Sequence, residues 1–188
     1  MTFNVFIWVL GAAILHAGWN ALLKGGHDKL LSMAAIVVGH VPFAVFTLIF
    51  VPLPSPQSIP YLVISMFFHA GYQLFLLKSY KIGDLTHVYP IARGSAPLMV
   101  TLFSLLILDV QLSLLQLLSI LTIATGIISL ALVRRDSGNR NFAATKLALT
   151  TGLFIASYSI VDGLGARASE NSWGFYCVLT LGNAVIAI

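Results

Sequence analysis

Four apolar stretches of this sequence carry groups that titrate, hold charge or donate hydrogen bonds. The first contains His16, Trp19 and Asn20, with His16 and Asn20 on one helical face. His40 lies in the second, just ahead of Pro42. His69, Tyr72 and Gln73 share a face of the third, while Tyr89 and Arg93 share one of the fourth, framed by Pro90 and Pro97. Counting helical rise, His16 lies about 12 Å from Lys24, His69 about 14 Å from Lys78, Arg93 about 14 Å from Asp84 and His40 about 16 Å from Lys29. If these stretches cross a bilayer, four groups able to carry positive charge fall in one central layer, and none of the four stretches places a carboxylate there. Like charges repel in a low dielectric, so the histidines are expected to be neutral until an anion enters.

Arg93 has no such escape, because a guanidinium does not deprotonate. A central arginine costs about 2.5–3.5 kcal/mol on insertion scales, and ionisable groups at that depth mark functional sites. The chemistry this predicts is capture of a substrate carboxylate or phosphoryl group by the guanidinium fork. The substrate-binding candidates are therefore His16, Trp19, Asn20, His40, His69, Tyr72, Gln73, Tyr89 and Arg93. His16 is also the proton-coupling candidate, since an unperturbed imidazole titrates near neutrality. The competing readings are structural. Arg93 would snorkel to the headgroups, each histidine would bond between helices, and Trp19 would pack a wall. Asp162, counted at about 24 Å from Lys146, would be an outer-interface residue. His27 and His87 lie in or beside loops and receive no role.

The elements that must position these groups follow from composition. The chain has 188 residues, 59% hydrophobic and only 9% charged, with a mean hydropathy of +0.96. Soluble domains carry about a quarter charged residues, so this is expected to be an all-α integral membrane protein. Apolar runs cover Phe3–Leu23, Leu30–Leu53, Ile59–Leu77, Thr86–Leu108, Ser113–Val133 and Leu147–Gly165, and another begins at Trp173 and is still apolar at Ile188. Crossing the hydrocarbon takes about 20 residues, which predicts six complete transmembrane helices and a truncated seventh. No Lys or Arg precedes the first run, so it lacks the basic start of a signal peptide.

The connections after the first, third and fifth runs carry eight Lys and Arg residues, against Arg167 alone after the second, fourth and sixth. Positive charge stays cytoplasmic, so the N-terminus is expected outside. The net charge of +4 is spread between apolar runs rather than gathered into a nucleic-acid surface. Lone Cys177 excludes an internal disulfide and any multi-thiolate metal site. The polar segment Arg134–Asn141 is a natural boundary, and beyond it Thr151-Gly152-Leu153-Phe154-Ile155 aligns with Leu10-Gly11-Ala12-Ala13-Ile14. An odd number of spans per unit inverts the second unit, predicting an incomplete 5+5 inverted repeat, a transporter architecture with a midplane site. The expected units are 1–136, a five-helix repeat, and 137–188, the start of a second.

Two stretches carry a resemblance to a known family. These are Leu15-His16-Ala17-Gly18-Trp19-Asn20-Ala21-Leu22-Leu23-Lys24 and Gly83-Asp84-Leu85-Thr86-His87-Val88-Tyr89-Pro90-Ile91-Ala92-Arg93-Gly94-Ser95-Ala96-Pro97-Leu98. Together they resemble EamA-type members of the drug/metabolite transporter superfamily, which usually have two five-helix halves. The resemblance implies a carrier, commonly an exporter of small metabolites, that works by alternating access around a cavity lined by the first, third and fourth spans. Relatives often have Leu-Gly-Glu-Arg-Leu-Ser after the fourth span, where this chain has Leu108-Asp109-Val110-Gln111-Leu112-Ser113 and so lacks that Glu. The small multidrug branch uses an acidic residue in its first span, and none is present here, which argues against efflux of cationic drugs.

The predicted function is transport, by export, of a small polar metabolite, anionic or amino-acid-like, across a plasma membrane of the bacterial inner-membrane type. No cofactor, metal or nucleic acid is expected; the partners are the substrate, the lipid bilayer and either a second copy or a C-terminal half. The rivals are a non-transporting membrane scaffold and an intramembrane enzyme. His16-x-x-x-Asn20 faintly resembles rhomboid proteases, but Arg93-Gly94-Ser95-Ala96 departs from their serine motif and no histidine follows Ser95. Without a base the serine is not activated. Three histidines would suit a metal, yet the layer holds no acid or thiolate beside them.

Overall fold

A computed structural model describes residues 3–24, 29–83, 85–107, 111–132 and 142–187. Within these ranges the side chains at 4, 16, 17, 19–24, 29, 30, 33, 85, 86, 128 and 130–132 are not described. The described residues form helices joined by turns, with no strand among them: α1 (Phe3–Lys24), α2 (Lys29–Gly39), α3 (Val41–Leu48), α4 (Ile59–Ile82), α5 (Leu85–Ile107), α6 (Leu114–Leu132), α7 (Phe142–Ala168) and α8 (Ser172–Ala187), with a 3-10 turn at Pro56–Ser58 before α4. Three stretches are long and apolar enough to cross a membrane: Pro56–Ile82, His87–Ile107 and Phe142–Ala168. They mark the chain as a membrane protein. Of the six complete spans expected, these three are met. Elsewhere among the described residues the apolar helices are shorter, at Val5–Leu15, Ala34–Leu48, Leu114–Ile127 and Ser172–Ala187.

The second run differs from the expected single span. It breaks at His40 into α2 and α3, with Pro42 in the first turn of α3. A proline has no N–H for the preceding turn and its ring crowds that turn's carbonyl, and Gly39 just before it is a weak helix former.

Helices α4, α5 and α7 form the centre of the bundle, with α7 against both of the others. Ser65 meets Asp162, His69 meets Tyr158 and Gly71 meets Phe154, so residue numbers fall along α7 as they rise along α4. The two are antiparallel. Along α5 the numbers rise together with those of α7, from His87 at Thr145 to Ser95 at Gly152. Small residues set this closeness. Ala92, Ala144 and Ala148 are fully buried beside Val88 and Ile91, as expected where van der Waals contact rather than hydrophobic burial holds membrane helices together. Large side chains instead point outward, among them Phe43, Leu115 and Val185, each more than 70% exposed. An apolar surface that extensive suits acyl chains, not water.

A turn-to-turn staple fixes the α4–α7 register at one end. Ser55 Oγ donates to the Ala168 carbonyl at 2.8 Å, Ser55 N–H donates to the Ser169 carbonyl at 3.1 Å, and Asn171 Nδ2 donates to the Pro52 carbonyl at 2.9 Å. Next to this staple Phe175 of α8 is fully buried with Leu62 and Leu179. Helices α2 and α3 pack against α8. Residues 5–15 of α1 are exposed throughout.

Candidate functional site

Arg93 sits on α5 between two prolines that the helix accommodates in place. Pro97 lacks the N–H that the Arg93 carbonyl would otherwise accept from, so the backbone loses a helical hydrogen bond at the residue carrying the charge. The guanidinium lies in a nest of tyrosines. Its Nη2 donates to the Tyr72 hydroxyl at 3.1 Å. The Arg93 Cζ stands 5.5 Å from the centre of the Tyr72 ring and 5.8 Å from that of Tyr89, within cation–π range. Tyr158 of α7 also interacts electrostatically with the guanidinium. Among the described residues no carboxylate lies within ion-pair distance of Arg93.

A second polar cluster lies beside this nest. His69 Nε2 donates to Asp162 Oδ2 at 3.2 Å, and the Ser65 hydroxyl donates to Asp162 Oδ1. The His69 ring stacks on Tyr158 with centroids 3.9 Å apart and planes inclined by 17°. Tyr72 meets the same Tyr158 edge-on at 5.7 Å. Asp162, His69, Tyr158, Tyr72 and Arg93 therefore form one continuous contact path across three helices. The helical repeat explains it: Ser65, His69, Tyr72 and Gln73 share a face of α4, and Tyr158 and Asp162 lie one turn apart on α7.

Asp162 gains partners that the sequence reading did not give it. It lies about 9 Å from the end of α7 at Ala168, is 7% exposed, faces the bundle and is bonded through both oxygens. His69 thus has a carboxylate partner that the four-stretch layer did not contain.

The other candidates divide. Tyr72, Tyr89 and Arg93 come together as expected, and Gln73 is half-buried on the same helix as Tyr72. His40 is not brought to them on the helices that hold it: it is exposed at the α2–α3 break, its Nδ1 is 2.6 Å from the Ile36 carbonyl oxygen, and both flanking helices pack against α8. The side chains of His16, Trp19 and Asn20 lie outside the described residues. Tyr158 and Ser65 were not among the sequence candidates, although the Tyr158/Asp162 and Ser65/His69 spacings were visible signals. His87, given no role, bridges α5 to α7 through Thr145 Oγ1 at 3.2 Å. No group of three His, Cys, Asp or Glu side chains able to hold a metal occurs among the described residues.

The arrangement offers a fixed positive charge ringed by phenol groups, next to a buried carboxylate–imidazole pair. A guanidinium so placed can take a carboxylate or phosphoryl oxygen through two parallel hydrogen bonds. No protein-family model, no curated protein and no solved structure matches the chain.

Proposed function

We propose that the protein is a membrane carrier for a small anionic or amino-acid-like metabolite, exported by alternating access, with Arg93 as the anion-binding centre. The observation that carries this reading is the company of Arg93: tyrosine rings and hydroxyls, with no carboxylate among its described neighbours. A partly buried guanidinium within a low-dielectric bundle calls for a counter-charge, and a cargo anion supplies it.

The helix directions support the predicted crossing pattern. Helices α5 and α7 run parallel, so the chain between them returns across the bilayer an odd number of times, and α6, 19 residues and about 28 Å long, is the helix available to do so. Helix α8 runs parallel to α4, since Phe175 meets Tyr61 and Gly182 meets Met66. The inverted-repeat reading gains support from partner choice. In that repeat α1 corresponds to α7 and the α2–α3 pair to α8, and the second correspondents pack on each other, as elements beside a pseudo-twofold axis do. Here α7 lies between the third and fourth spans. The repeat puts α1 between the third and fourth helices of a second unit, which would cover the face that α1 leaves exposed.

The hydroxyl of Ser65 bonds to Asp162 rather than to His69, so that serine lacks the base contact an intramembrane hydrolase needs. The plasma membrane, N-terminus outside, is the location in keeping with the charge bias. The test is counterflow in proteoliposomes with acetate, succinate, glutamate and inorganic phosphate as cargo. Arg93→Ala is expected to abolish flux of the transported anion while inserting normally. Undiminished flux in that variant refutes the Arg93 assignment, and a wild type that moves none of these anions favours a scaffold.

A further inference from the structure

We propose that Ser65, His69 and Asp162 form a proton-binding site whose occupancy is linked through Tyr158 to the anion held at Arg93. The linkage rests on the carrier reading; the proton site itself does not. Asp162 is not arranged to hold cargo, because each of its oxygens already receives a hydrogen bond from α4 and the residue is 7% exposed. It is not arranged for nucleophilic chemistry either, since the serine hydroxyl addresses the carboxylate. What a carboxylate and an imidazole 3.2 Å apart can do in a low-dielectric bundle is hold one exchangeable proton, the role typical of Asp and His in proton-driven carriers.

The groups facing Asp162 come from three helices. Ser65 and His69 approach from α4, Tyr158 lies one turn back on α7, and Tyr176 acts on it from α8. Helix α5 contributes Arg93, which reaches the cluster through Tyr72, edge-on to Tyr158. With the imidazole neutral and the carboxylate ionised the site carries one negative charge. A proton taken from water on one face cancels it and is returned to water on the other, with no change in oxidation state. Tyr158 stacks on His69 and meets Tyr72 edge-on, and Tyr72 accepts from Arg93, so a movement of either side of the path displaces the other. The added proton favours a nearby anion, and linkage makes the effect mutual: the anion draws in a proton.

The test uses the full chain in lipid nanodiscs. An infrared difference spectrum between about pH 8 and about pH 5, the range in which histidine-linked sites respond, is expected to contain a protonation band that both Asp162→Asn and His69→Gln remove. Ser65→Ala removes no ionisable group and is expected to shift that band, which serves where a charge variant does not fold. A spectrum indifferent to all three substitutions overturns the proton site, whatever the cargo. Calorimetric binding of succinate tests the linkage. Its affinity is expected to rise about tenfold from the alkaline to the acid end in wild type, within the usual coupling range, and to stay level in Asp162→Asn. Succinate bound equally at both ends overturns the linkage and leaves the carrier reading standing. An intact band with none of acetate, succinate, glutamate or inorganic phosphate binding overturns the linkage and the carrier reading together, and leaves the proton site.

Discussion

Gly152 and Gly163 lie on the same helix, yet the structure assigns them opposite responses to an added methyl group. A Cβ at Gly152 would overlap Ser95 Oγ outright, stand 3.0 Å from the Ala92 carbonyl oxygen and 3.3 Å from Ser95 Cβ. Ser95 can swing its hydroxyl aside, but the Ala92 carbonyl is backbone, so α5 and α7 must part by several tenths of an ångström. Overpacking of this kind costs about 1–3 kcal/mol. At Gly163 nothing lies within 4 Å. Each substitution gains the same helix propensity, about 0.8–1.0 kcal/mol for Gly to Ala, and that gain cancels in the comparison. Gly163→Ala is therefore expected to be neutral or stabilising, and Gly152→Ala to be about 1–3 kcal/mol less stable than Gly163→Ala. The assay is reversible unfolding in mixed micelles of rising dodecyl sulfate fraction, followed by circular dichroism. Equal midpoints for the two variants would refute the α5–α7 contact, and with it the parallel direction that places Arg93 beside Tyr158.

Phe154 plugs the opposite side of α7, against Gly71 and stacked on Phe75 at 5.2 Å. Phe154→Ala is expected to destabilise by about 2 kcal/mol in the same unfolding assay, below the full range for a buried phenylalanine because the residue is only half-buried. Tyr72→Phe removes the hydroxyl from Arg93 and keeps the ring, and is expected to cost about 0.6 kcal/mol, the mean for interhelical bonds in a membrane. Tyr72→Leu removes the ring as well and is expected to lose about 0.5–1 kcal/mol more by unfolding titration.

Much of this architecture was legible along the chain. The places of α4, α5 and α7 follow from hydropathy and from the Pro-rich segment before Ile59, although α4 runs on past Leu77 to Ile82 and α7 begins before Leu147, at Phe142. The shared face of Tyr89 and Arg93 follows from helical spacing alone. The α2–α3 break was also written in the sequence, in Gly39-His40-Val41-Pro42, but the length of the apolar run outweighed the proline. The partners of Asp162 were hidden for a different reason, because a count along one helix says nothing of which helix faces the carboxylate. Its pairing with His69 depends on the antiparallel register of two helices far apart in the chain, which no local pattern encodes. The Ser55 staple to Ala168 and Ser169 that fixes this register joins the segment before α4 to the end of α7 and is equally silent in hydropathy.

The central claim is that an anion sits against Arg93 inside the bundle, and equilibrium binding tests it without any transport step. Calorimetry on the purified chain in nanodiscs, with acetate, succinate, glutamate and inorganic phosphate, is expected to find an anion that binds wild type. Arg93→Lys, which keeps the charge and loses the two-pronged geometry, is expected to bind it more weakly, and Arg93→Gln not measurably. An anion bound with the same affinity by wild type and Arg93→Gln would contradict the account.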